Sequence, residues 1–518
     1  MLQELTIAQL VKRTCSQVPD RIALFDNDES LTYKELDELT DKLASGLYNE
    51  GIRPQNLVGI FSYTSVKGLI YYYALQKLNA RVIFLPEKVH ENELANYTDV
   101  EGLDAICIDK GHCEIFGENE KIKSMTHQFM AEYELSGDRE GINELCRKGQ
   151  GVDIEKIIAE GSCYDTAVML FTSGTTGRPK IVMTSGYSRV NGGIQQAYDQ
   201  HFTEEDVVME ALPMHHCFAL SVNIMSAMAA GAALFIPKDR HSATILEGLH
   251  DHKCTVLSAV PALYNAIVKN PKFKEYEIRL RTGIIGGGRY TPKMFKEIER
   301  DFAPTFTLLS SLGMTEGTAG VTVCEMDDPI DLRAESIGHF MAYVEGKILD
   351  PATGKECEYG KQGEICFRGY NVMQGYYKNP EATAQAIDEN GYLHSGDLGH
   401  MEADGTVYIS GRLKEIIIRG GDNISPVEVE NAIYEDPRVT DCKVVGVPDE
   451  HYGEQVYACV VTNAPMTADE VKAAAANRLI KSKVPYGVVF LDELPLNGNN
   501  KVDTAECRRI AKEEAEKQ

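Results

Sequence analysis

The chain has 518 residues and a mass of 57.4 kDa, which at roughly 100–200 residues per domain predicts about three structural units. Hydrophobic residues make up 43% and charged residues 25%, so disordered and collagen-like chains are excluded. The 52 Lys and Arg residues against 78 Asp and Glu residues give a net charge of −26, which disfavours nucleic-acid binding and docking on anionic membranes. An anionic substrate therefore needs a locally basic or amide-lined pocket.

The N-terminal segment, MLQELTIAQLVKRT, has no basic region followed by an apolar core, so we expect no secretory signal. The longest apolar stretch, residues 220–237, is too short and too polar for a membrane span, and predicts a buried helix that ends at Gly231 before a strand. Thirteen cysteines without a Cys-x-x-Cys pair indicate reduced thiols. We therefore expect a cytoplasmic protein without stable membrane insertion, and the sequence does not indicate its oligomeric state.

Strands and amphipathic helices alternate through most of the chain. Residues 57–63 predict a strand that precedes a helix, and residues 255–259 predict a strand before the helical segment PALYNAIVKN. This alternation predicts an α/β fold, with parallel sheets covered by helices on both faces. From about residue 363 the pattern changes to short strands and turns, and the pair Asp404-Gly405 predicts a hairpin.

The last hundred residues predict a small α+β domain. Its expected strands and helices, in chain order, cover residues 415–419 (strand), 426–434 (helix), 441–447 (strand), 455–461 (strand) and 468–479 (helix). We therefore predict a large domain of residues 1–411 and a small domain of residues 412–518.

The strongest local motif is LFTSGTTGRPK, residues 170–180. An apolar strand leads into a loop of Ser and Thr hydroxyls, glycines and two cations. Glycines let backbone N–H groups turn towards an anion, and the hydroxyls add donors, as in a phosphate cradle. The spacing is not that of a Walker loop, and a surface turn seldom needs this composition. The motif predicts a phosphate-binding site.

This motif resembles the signature loop of the adenylate-forming superfamily, which includes acyl- and aryl-CoA ligases, carrier-loading adenylation domains and firefly luciferase. Further motifs follow the order of that family from Leu31 to Lys501: LTYKELDELTDKLA, LPMHHCFAL, GGG, SLGMTEG, GEICFRGYNVMQGYYKNPEAT, GYLHSGDLG, GRLKEIIIRGGDNISPVEVE and PLNGNNKVD. Their order and spacing together are more specific than any single motif.

The resemblance implies that the protein joins a carboxylic acid to ATP as an acyl adenylate and then transfers the acyl group to coenzyme A, with Mg²⁺ as cofactor. It also implies a large α/β domain of parallel sheets with a distorted β-barrel at its end, and a small mobile C-terminal α+β domain. The same chemistry with a different acceptor, the phosphopantetheine arm of a carrier protein, stays open as an alternative. A catalytically inactive nucleotide-binding scaffold is opposed by the joint presence of Glu316, Asp397, Arg412 and Lys501.

The resemblance also implies the ATP contacts. The contacts to the β- and γ-phosphates are Thr172, Ser173, Gly174, Thr175, Thr176, Gly177 and Lys180. The contacts around the adenine are Gly286, Gly287, Gly288, Ser310, Ser311, Leu312, Gly313 and Met314. Asp397 accepts hydrogen bonds from the ribose hydroxyls, and Arg412 also reaches the ribose.

Four further roles follow from the resemblance. Glu316 binds Mg²⁺ between the phosphates, in keeping with the preference of this ion for oxygen, and Thr315 contacts the α-phosphate. His216 gates the carboxylate pocket, where an aromatic residue or His is usual. Lys501 bridges the carboxylate and the α-phosphate during adenylation, and a long flexible ammonium suits that task.

After adenylation, family enzymes swing the small domain about a hinge, and Lys414 matches the hinge position. Arg419, Gly420 and Gly421 then line a tunnel for pantetheine. Two groups of residues, His215 with His216 and His250-x-His252-x-Cys254, contain possible zinc ligands. Neither group has a further ligand nearby at the spacing of a zinc site.

The chain departs from the family pattern at several positions. Leu312 replaces the usual Tyr that stacks on adenine, and Ala219 replaces a common Gly after the gating His, which would narrow the acyl pocket. The other departures are Ile181 for Gly, Gly288 for Ala, and Asn79 and Asn500 for glycines. We interpret these departures as changes that adjust the activity without abolishing it. No aromatic stripe or basic patch in the sequence indicates which acid is bound.

Overall fold

The computed structural model describes residues 1–137, 139–172, 179–496 and 502–517. The chain divides into two compact units, of which the first consists of residues 1–345 and 367–393 and the second of residues 346–366 and 394–518.

In the described part of the chain the α-helices are α1 Ile7–Gln17, α2 Tyr33–Asn49, α3 Val66–Lys77, α4 Leu94–Thr98, α5 Lys110–Phe116, α6 Glu120–Lys123, α7 Ile142–Lys148, α8 Ile154–Glu160, α9 Gly186–Asp199, α10 Ser226–Ala230, α11 Ser242–Asp251, α12 Pro261–Val268, α13 Pro292–Phe302, α14 Ile330–Glu335, α15 Pro380–Ala386, α16 Pro426–Ile433, α17 Ala468–Ala476 and α18 Thr504–Ala515.

The strands of the same residues are β1 Ile22–Phe25, β2 Ser30–Thr32, β3 Leu57–Phe61, β4 Arg81–Phe84, β5 Leu103–Ile108, β6 His127–Met130, β7 Thr166–Thr172, β8 Lys180–Ser185, β9 Val207–Met209, β10 Ala233–Phe235, β11 Val256–Leu257, β12 Thr282–Ile285, β13 Thr307–Leu312, β14 Thr322–Val323, β15 His339–Phe340, β16 Val344–Leu349, β17 Gly363–Gly369, β18 Gly375–Tyr376, β19 Leu393–Met401, β20 Val407–Arg412, β21 Ile417–Arg419, β22 Asp422–Ile424, β23 Val439–Asp449, β24 Gly453–Thr462 and β25 Gly487–Phe490.

The first unit contains two large sheets with parallel centres. One has the strand order β15-β14-β13-β12-β11-β9-β10-β1-β2, and its neighbours from β13 to β1 are parallel. The other has the order β18-β8-β7-β4-β3-β5-β6, with parallel neighbours from β7 to β6. Strand β3 is buried along its whole length and helix α3 is buried except at Lys67, as cover on both faces of a parallel sheet requires. The predicted α/β fold with parallel sheets is confirmed.

The predicted buried helix of residues 220–237 exists, but its first half is π-helical. Residues Ala219–Met225 form the π-helix, α10 follows, and Gly231 ends the helix in the left-handed conformation at φ 74° before β10. Asn79, which stands where the family has glycine, also has a left-handed backbone, with φ 52°. Across the described ranges, no helix combines the length and the apolar character that crossing a membrane demands.

The second unit contains two sheets. The sheet β16-β17-β19-β20 lies in the region where the family resemblance implies a distorted barrel. Its strands β19 and β20 form the hairpin predicted at Asp404-Gly405. The other sheet has the order β22-β21-β24-β23, with β25 beside β24, and is accompanied by α16, α17 and α18. This confirms the small α+β part of the fold. Residues 394–411 fall in the same compact unit as residues 412–518. The predicted domain boundary between residues 411 and 412 stays a prediction.

Candidate functional site

The predicted phosphate loop connects two antiparallel strands. Thr172, the last residue of β7, is paired with Lys180, the first residue of β8, so the strands hold the two ends of the loop together. The predicted contacts Ser173, Gly174, Thr175, Thr176 and Gly177 lie outside the described residues.

Lys180 and Glu316 are linked through a tyrosine. The Lys180 ammonium lies over the ring of Tyr376, 4.5 Å from its centroid, and the Tyr376 hydroxyl donates a hydrogen bond of 2.8 Å to Oε1 of Glu316. Strand β18, which contains Tyr376, pairs with β8, which contains Lys180. Burial, followed by the charge of Glu316, raises the pKa of Tyr376, so this hydroxyl keeps its proton at neutral pH. The structure therefore brings together a predicted phosphate ligand and the predicted metal ligand.

Glu316 is suited to hold a hard cation. It lies in the one-turn 3₁₀-helix Thr315–Gly317, is 9% exposed, and its backbone carbonyl accepts a hydrogen bond from Met373 N at 2.8 Å. Tyr376 occupies Oε1, whereas no hydrogen bond from the described residues reaches Oε2. Lys180 likewise forms no ion pair within the described ranges. A carboxylate oxygen and an ammonium thus remain available for Mg²⁺ and phosphate.

The residues predicted around the adenine meet at the carboxyl ends of two neighbouring parallel strands. Ile285 pairs with Ser310, and a Cβ placed on Gly286 would lie 3.6 Å from the carbonyl oxygen of Ser311. Crevices at this end of parallel strands are the usual ligand sites of α/β sheets. The predicted residues here are Gly286, Gly287, Gly288, Ser310, Ser311, Leu312, Gly313 and Met314.

Hydrogen bonds and close packing fix the segment that leads from β13 to Glu316. The Ser310 hydroxyl donates to the carbonyl of Ser336, and the Ser311 hydroxyl donates to that of Thr322 at 2.7 Å. Gly313 is a glycine by necessity, since a Cβ there would lie 1.7 Å from the carbonyl oxygen of Ala319. Leu312 is nearly buried, at 8% exposure.

Two histidines precede the π-helix. His216 is half-buried, and its ring packs against His215 at a centroid distance of 4.3 Å. Burial, followed by the neighbouring His216, lowers the pKa of His215, so His215 stays neutral. The next residue, Cys217, accepts a hydrogen bond of 3.7 Å from the Thr315 hydroxyl. The predicted gating residue and the predicted α-phosphate contact therefore lie on neighbouring segments.

In the second unit, Asp397 and Arg412 form an ion pair. They are register partners in β19 and β20, and Arg412 Nε donates to Oδ1 of Asp397 at 3.0 Å. Asp397 is 3% exposed, whereas the side chain of Arg412 is 64% exposed. The two residues assigned to the ribose are thus brought together.

A second acidic residue fixes the turn that precedes Asp397. Glu364 accepts a hydrogen bond of 2.9 Å from Gly396 N and lies 2.8 Å from Nδ1 of His394. Sγ of Cys366 is 3.4 Å from the same nitrogen, and the three possible ligand atoms lie within 4.8 Å of one another. A carboxylate, a thiol and an imidazole form a donor set that suits a borderline cation such as Zn²⁺.

The residues assigned to the hinge and the pantetheine tunnel lie at element ends. Lys414 is exposed in the one-turn 3₁₀-helix Leu413–Glu415, between β20 and β21. Gly420 and Gly421, with φ 59° and 91°, form the two-residue turn between β21 and β22, which by itself accounts for both glycines. Arg419 donates to Gln455 Oε1 at 2.7 Å and to the Ser482 carbonyl at 2.8 Å. Lys501 lies outside the described residues.

Sequence reasoning missed two residues of the first unit. Tyr376 lies within a family motif but is 60 positions from Glu316, and only the antiparallel pairing of β18 and β8 brings it to the site. Arg189 is fully buried in α9. The sequence pattern that could have indicated it is a charged residue on the buried face of a helix, in the segment SRVNGG.

The sequence matches the AMP-binding enzyme family over residues 11–377 and the AMP-binding enzyme C-terminal domain over residues 428–501. A putative acyl-CoA synthetase, YngI of Bacillus subtilis (strain 168), is 30% identical over 531 residues, covering 97% of this chain and 96% of that protein. The mitochondrial medium-chain acyl-CoA ligase ACSF2 of Bos taurus is 28% identical, covering 98% and 88%. The crystal structure of ATP-bound MatB from Rhodopseudomonas palustris superposes with a TM-score of 0.83 at 26% identity, covering 98% and 99%.

Proposed function

This chain belongs to the AMP-binding enzyme family and is an AMP-forming acyl-CoA ligase, and we propose that the residues described above perform its reaction. One oxygen of a carboxylic acid attacks the α-phosphorus of ATP, and pyrophosphate leaves. The thiol of coenzyme A then attacks the acyl carbon, loses its proton, and displaces AMP. Both steps need cations and donors directed at the charge that develops on phosphate and carbonyl oxygens.

Lys180 and the loop that begins at Thr172 bind the β- and γ-phosphates. Glu316 would hold Mg²⁺, which when bound would supply neutralising positive charge. Tyr376 supports this arrangement because its hydroxyl fixes one oxygen of Glu316 and leaves the other for the metal. Its ring also positions the Lys180 ammonium, so one side chain orients both charged groups.

Asp397 binds the ribose hydroxyls, and Arg412 orients that carboxylate and reaches the ribose. The glycines 286–288 and the segment 310–314 line the adenine, where Leu312 provides aliphatic contact in place of a ring. Thr315 contacts the α-phosphate and His216 gates the carboxylate pocket. Support comes from the ion pair at Asp397 and from the meeting of the adenine residues at one end of β12 and β13.

The second step requires a rearrangement. Lys501 bridges the carboxylate and the α-phosphate in the first step and leaves with residues 412–518, which turn about Lys414. Arg419, Gly420 and Gly421 then face pantetheine. The 3₁₀ turn around Lys414, between two strands, is the type of short connection that absorbs such a backbone change.

We also place the enzyme in a reducing compartment, the cytoplasm. All thirteen cysteines are thiols, and most of them are buried. Protein thiols persist in this number where glutathione and thioredoxin keep them reduced.

The contact of Lys180, Tyr376 and Glu316 is the observation that gives this proposal its strongest support. The test measures AMP, pyrophosphate and acyl-CoA formed from a panel of acids, ATP, Mg²⁺ and CoA, using Lys180→Met and the matched control Lys378→Met. Lys378 lies over the ring of Tyr377, 5.6 Å from its centroid, and forms an exposed ion pair with Glu101. We expect K180M to lose acid-dependent pyrophosphate release and K378M to retain it. Equal activity of the two variants would contradict the assignment.

A further inference from the structure

Four cations are buried among the described residues, and three of them have carboxylate partners. Lys77 lies 2.6 Å from both Asp37 and Asp41, Arg333 is paired with Glu299, and Lys443 lies 2.8 Å from Glu415. The fourth, Arg189, is 0% exposed and forms no ion pair within the described ranges. An unpaired buried charge is strongly destabilising, so a fold that retains one has a reason to do so.

Neutral groups satisfy only part of the Arg189 guanidinium. Its Nε donates to the Thr184 hydroxyl at 2.9 Å and its Nη1 donates to the Ser221 hydroxyl at 3.0 Å. Nη2 is buried and has no hydrogen-bond partner among the described residues. Arginine stays protonated even in such surroundings, so the charge requires an anion. The fork geometry of guanidinium matches a carboxylate.

The position of Arg189 connects it to the acid-activating site. Its partner Ser221 lies in the π-helix Ala219–Met225, and π-helical turns occur frequently at functional sites. Cys217, one turn before Ser221, accepts the hydrogen bond of Thr315 and lies within electrostatic range of Arg189. On the same helix as Arg189, a Cβ on Gly192 would lie 3.8 Å from Thr318. Arg189 therefore lies near the segment of Cys217 and Ser221, and Cys217 in turn contacts Thr315.

We propose that Arg189 binds a second carboxylate of the substrate, so that the enzyme activates dicarboxylic acids at one end. The inference rests on the proposed function, in which the reacting carboxylate lies beside Thr315 and His216. The carboxylate bound by Arg189 remains an anion throughout, and no covalent bond to it forms or breaks. The reacting carboxylate at the other end of the substrate is converted to the adenylate and then to the thioester. The unreacted carboxylate supplies the anionic partner that Arg189 lacks among the described residues, as Asp37, Asp41 and Glu299 do for the other buried cations of this unit.

The same charge disfavours acids that end in an apolar group. A methyl group next to Nη2 leaves the guanidinium buried and unpaired, and sites built to bind a polar group strongly reject analogues that lack it. Arg189 is thus a specificity-determining residue, and it takes no part in bond formation.

The test compares dicarboxylic and monocarboxylic acids of equal carbon number, from about three to eight carbons, by kcat/KM for acyl-CoA formation. We expect the wild-type enzyme to prefer the best dicarboxylic acid over its monocarboxylic counterpart by about 100-fold, the range of a hydrogen-bonded charge. Arg189→Met should lose about 100-fold on the dicarboxylic acid and leave the monocarboxylic acid unchanged or improved. Arg189→Lys should retain part of the preference. The control Arg147→Met removes an exposed arginine of α7 and should change neither series.

The comparison of dicarboxylic and monocarboxylic acids with the wild-type enzyme tests the inference even if R189M fails to fold. A wild-type preference for monocarboxylic acids, or an R189M variant that keeps the dicarboxylic preference, would overturn the inference while leaving the ligase function intact. Absence of turnover with every acid would instead defeat the proposed function, and the inference with it.

Discussion

Removal of one hydroxyl group, by Tyr376→Phe, tests how the site is organised. The hydroxyl is buried and donates to Oε1 of Glu316 at 2.8 Å, while the ring contacts the Lys180 ammonium. A hydrogen bond to a charged group contributes about 1.5–3 kcal/mol, so kcat/KM for ATP in adenylation should fall by about 10- to 150-fold. Because phenylalanine keeps the ring, Tyr376→Ala should lose a further contribution of about 0.5–2 kcal/mol from the cation–π contact.

The assay is acid-dependent exchange of labelled pyrophosphate into ATP, measured as a function of Mg²⁺ concentration. If Tyr376 turns Glu316 towards the metal, Y376F should need more Mg²⁺ for half-maximal exchange. Tyr377→Phe is the matched control, because its hydroxyl donates to the Glu101 carbonyl at 2.9 Å, where it touches no predicted site residue. Unchanged exchange in Y376F, or an equal loss in Y377F, would refute this reasoning.

Three further predictions concern the tail lysine, the hinge and the pH dependence of stability. Lys501→Ala should abolish adenylation yet leave thioester formation from supplied acyl adenylate largely intact, with Lys517→Ala as control; equal loss of both half-reactions would argue against a change of site. Lys414→Pro should spare pyrophosphate exchange and impair acyl-CoA formation, because proline restricts the backbone change, and unaffected turnover in stopped-flow assays would reject Lys414 as the pivot. Burial raises the pKa of Glu210 to about 8 from an ordinary 4.5, so the folded chain holds this proton more tightly than the unfolded chain. The stability that this proton contributes at low pH is therefore lost as the pH rises from about 4.5 to about 8. In thermal unfolding, Glu210→Gln should lose less stability than the wild type over that range. Equal dependence of the melting temperature on pH in both proteins would show that Glu210 is not responsible.

Much of the fold follows from local pattern. The alternation of apolar strands and helices predicts the parallel sheets, the pair Asp404-Gly405 predicts the hairpin of β19 and β20, and Gly231 predicts the helix end. These features depend on neighbours in sequence, where turn chemistry and periodicity act directly.

The features that escaped prediction depend on contacts between distant segments. The link from Lys180 through Tyr376 to Glu316 joins three separate motifs, and the π-helix at 219–225 has no periodicity that separates it from an ordinary buried helix. The family resemblance assigns Gly420 and Gly421 to a tunnel, whereas the hairpin turn that they form is sufficient to require both glycines. In the sequence Arg189 is indistinguishable from a surface arginine, and only the structure shows that it is buried and has no carboxylate partner among the described residues.

The central claim is that an acid is activated on phosphate before coenzyme A takes part. The most direct measurement follows labelled pyrophosphate into ATP with Mg²⁺ and an accepted acid, first without and then with CoA. We predict that label enters ATP without CoA, that exchange stops when the acid is omitted, and that added CoA yields AMP and an acyl thioester. Thioester formation without any CoA-independent exchange, or with ADP as the nucleotide product, would contradict the account.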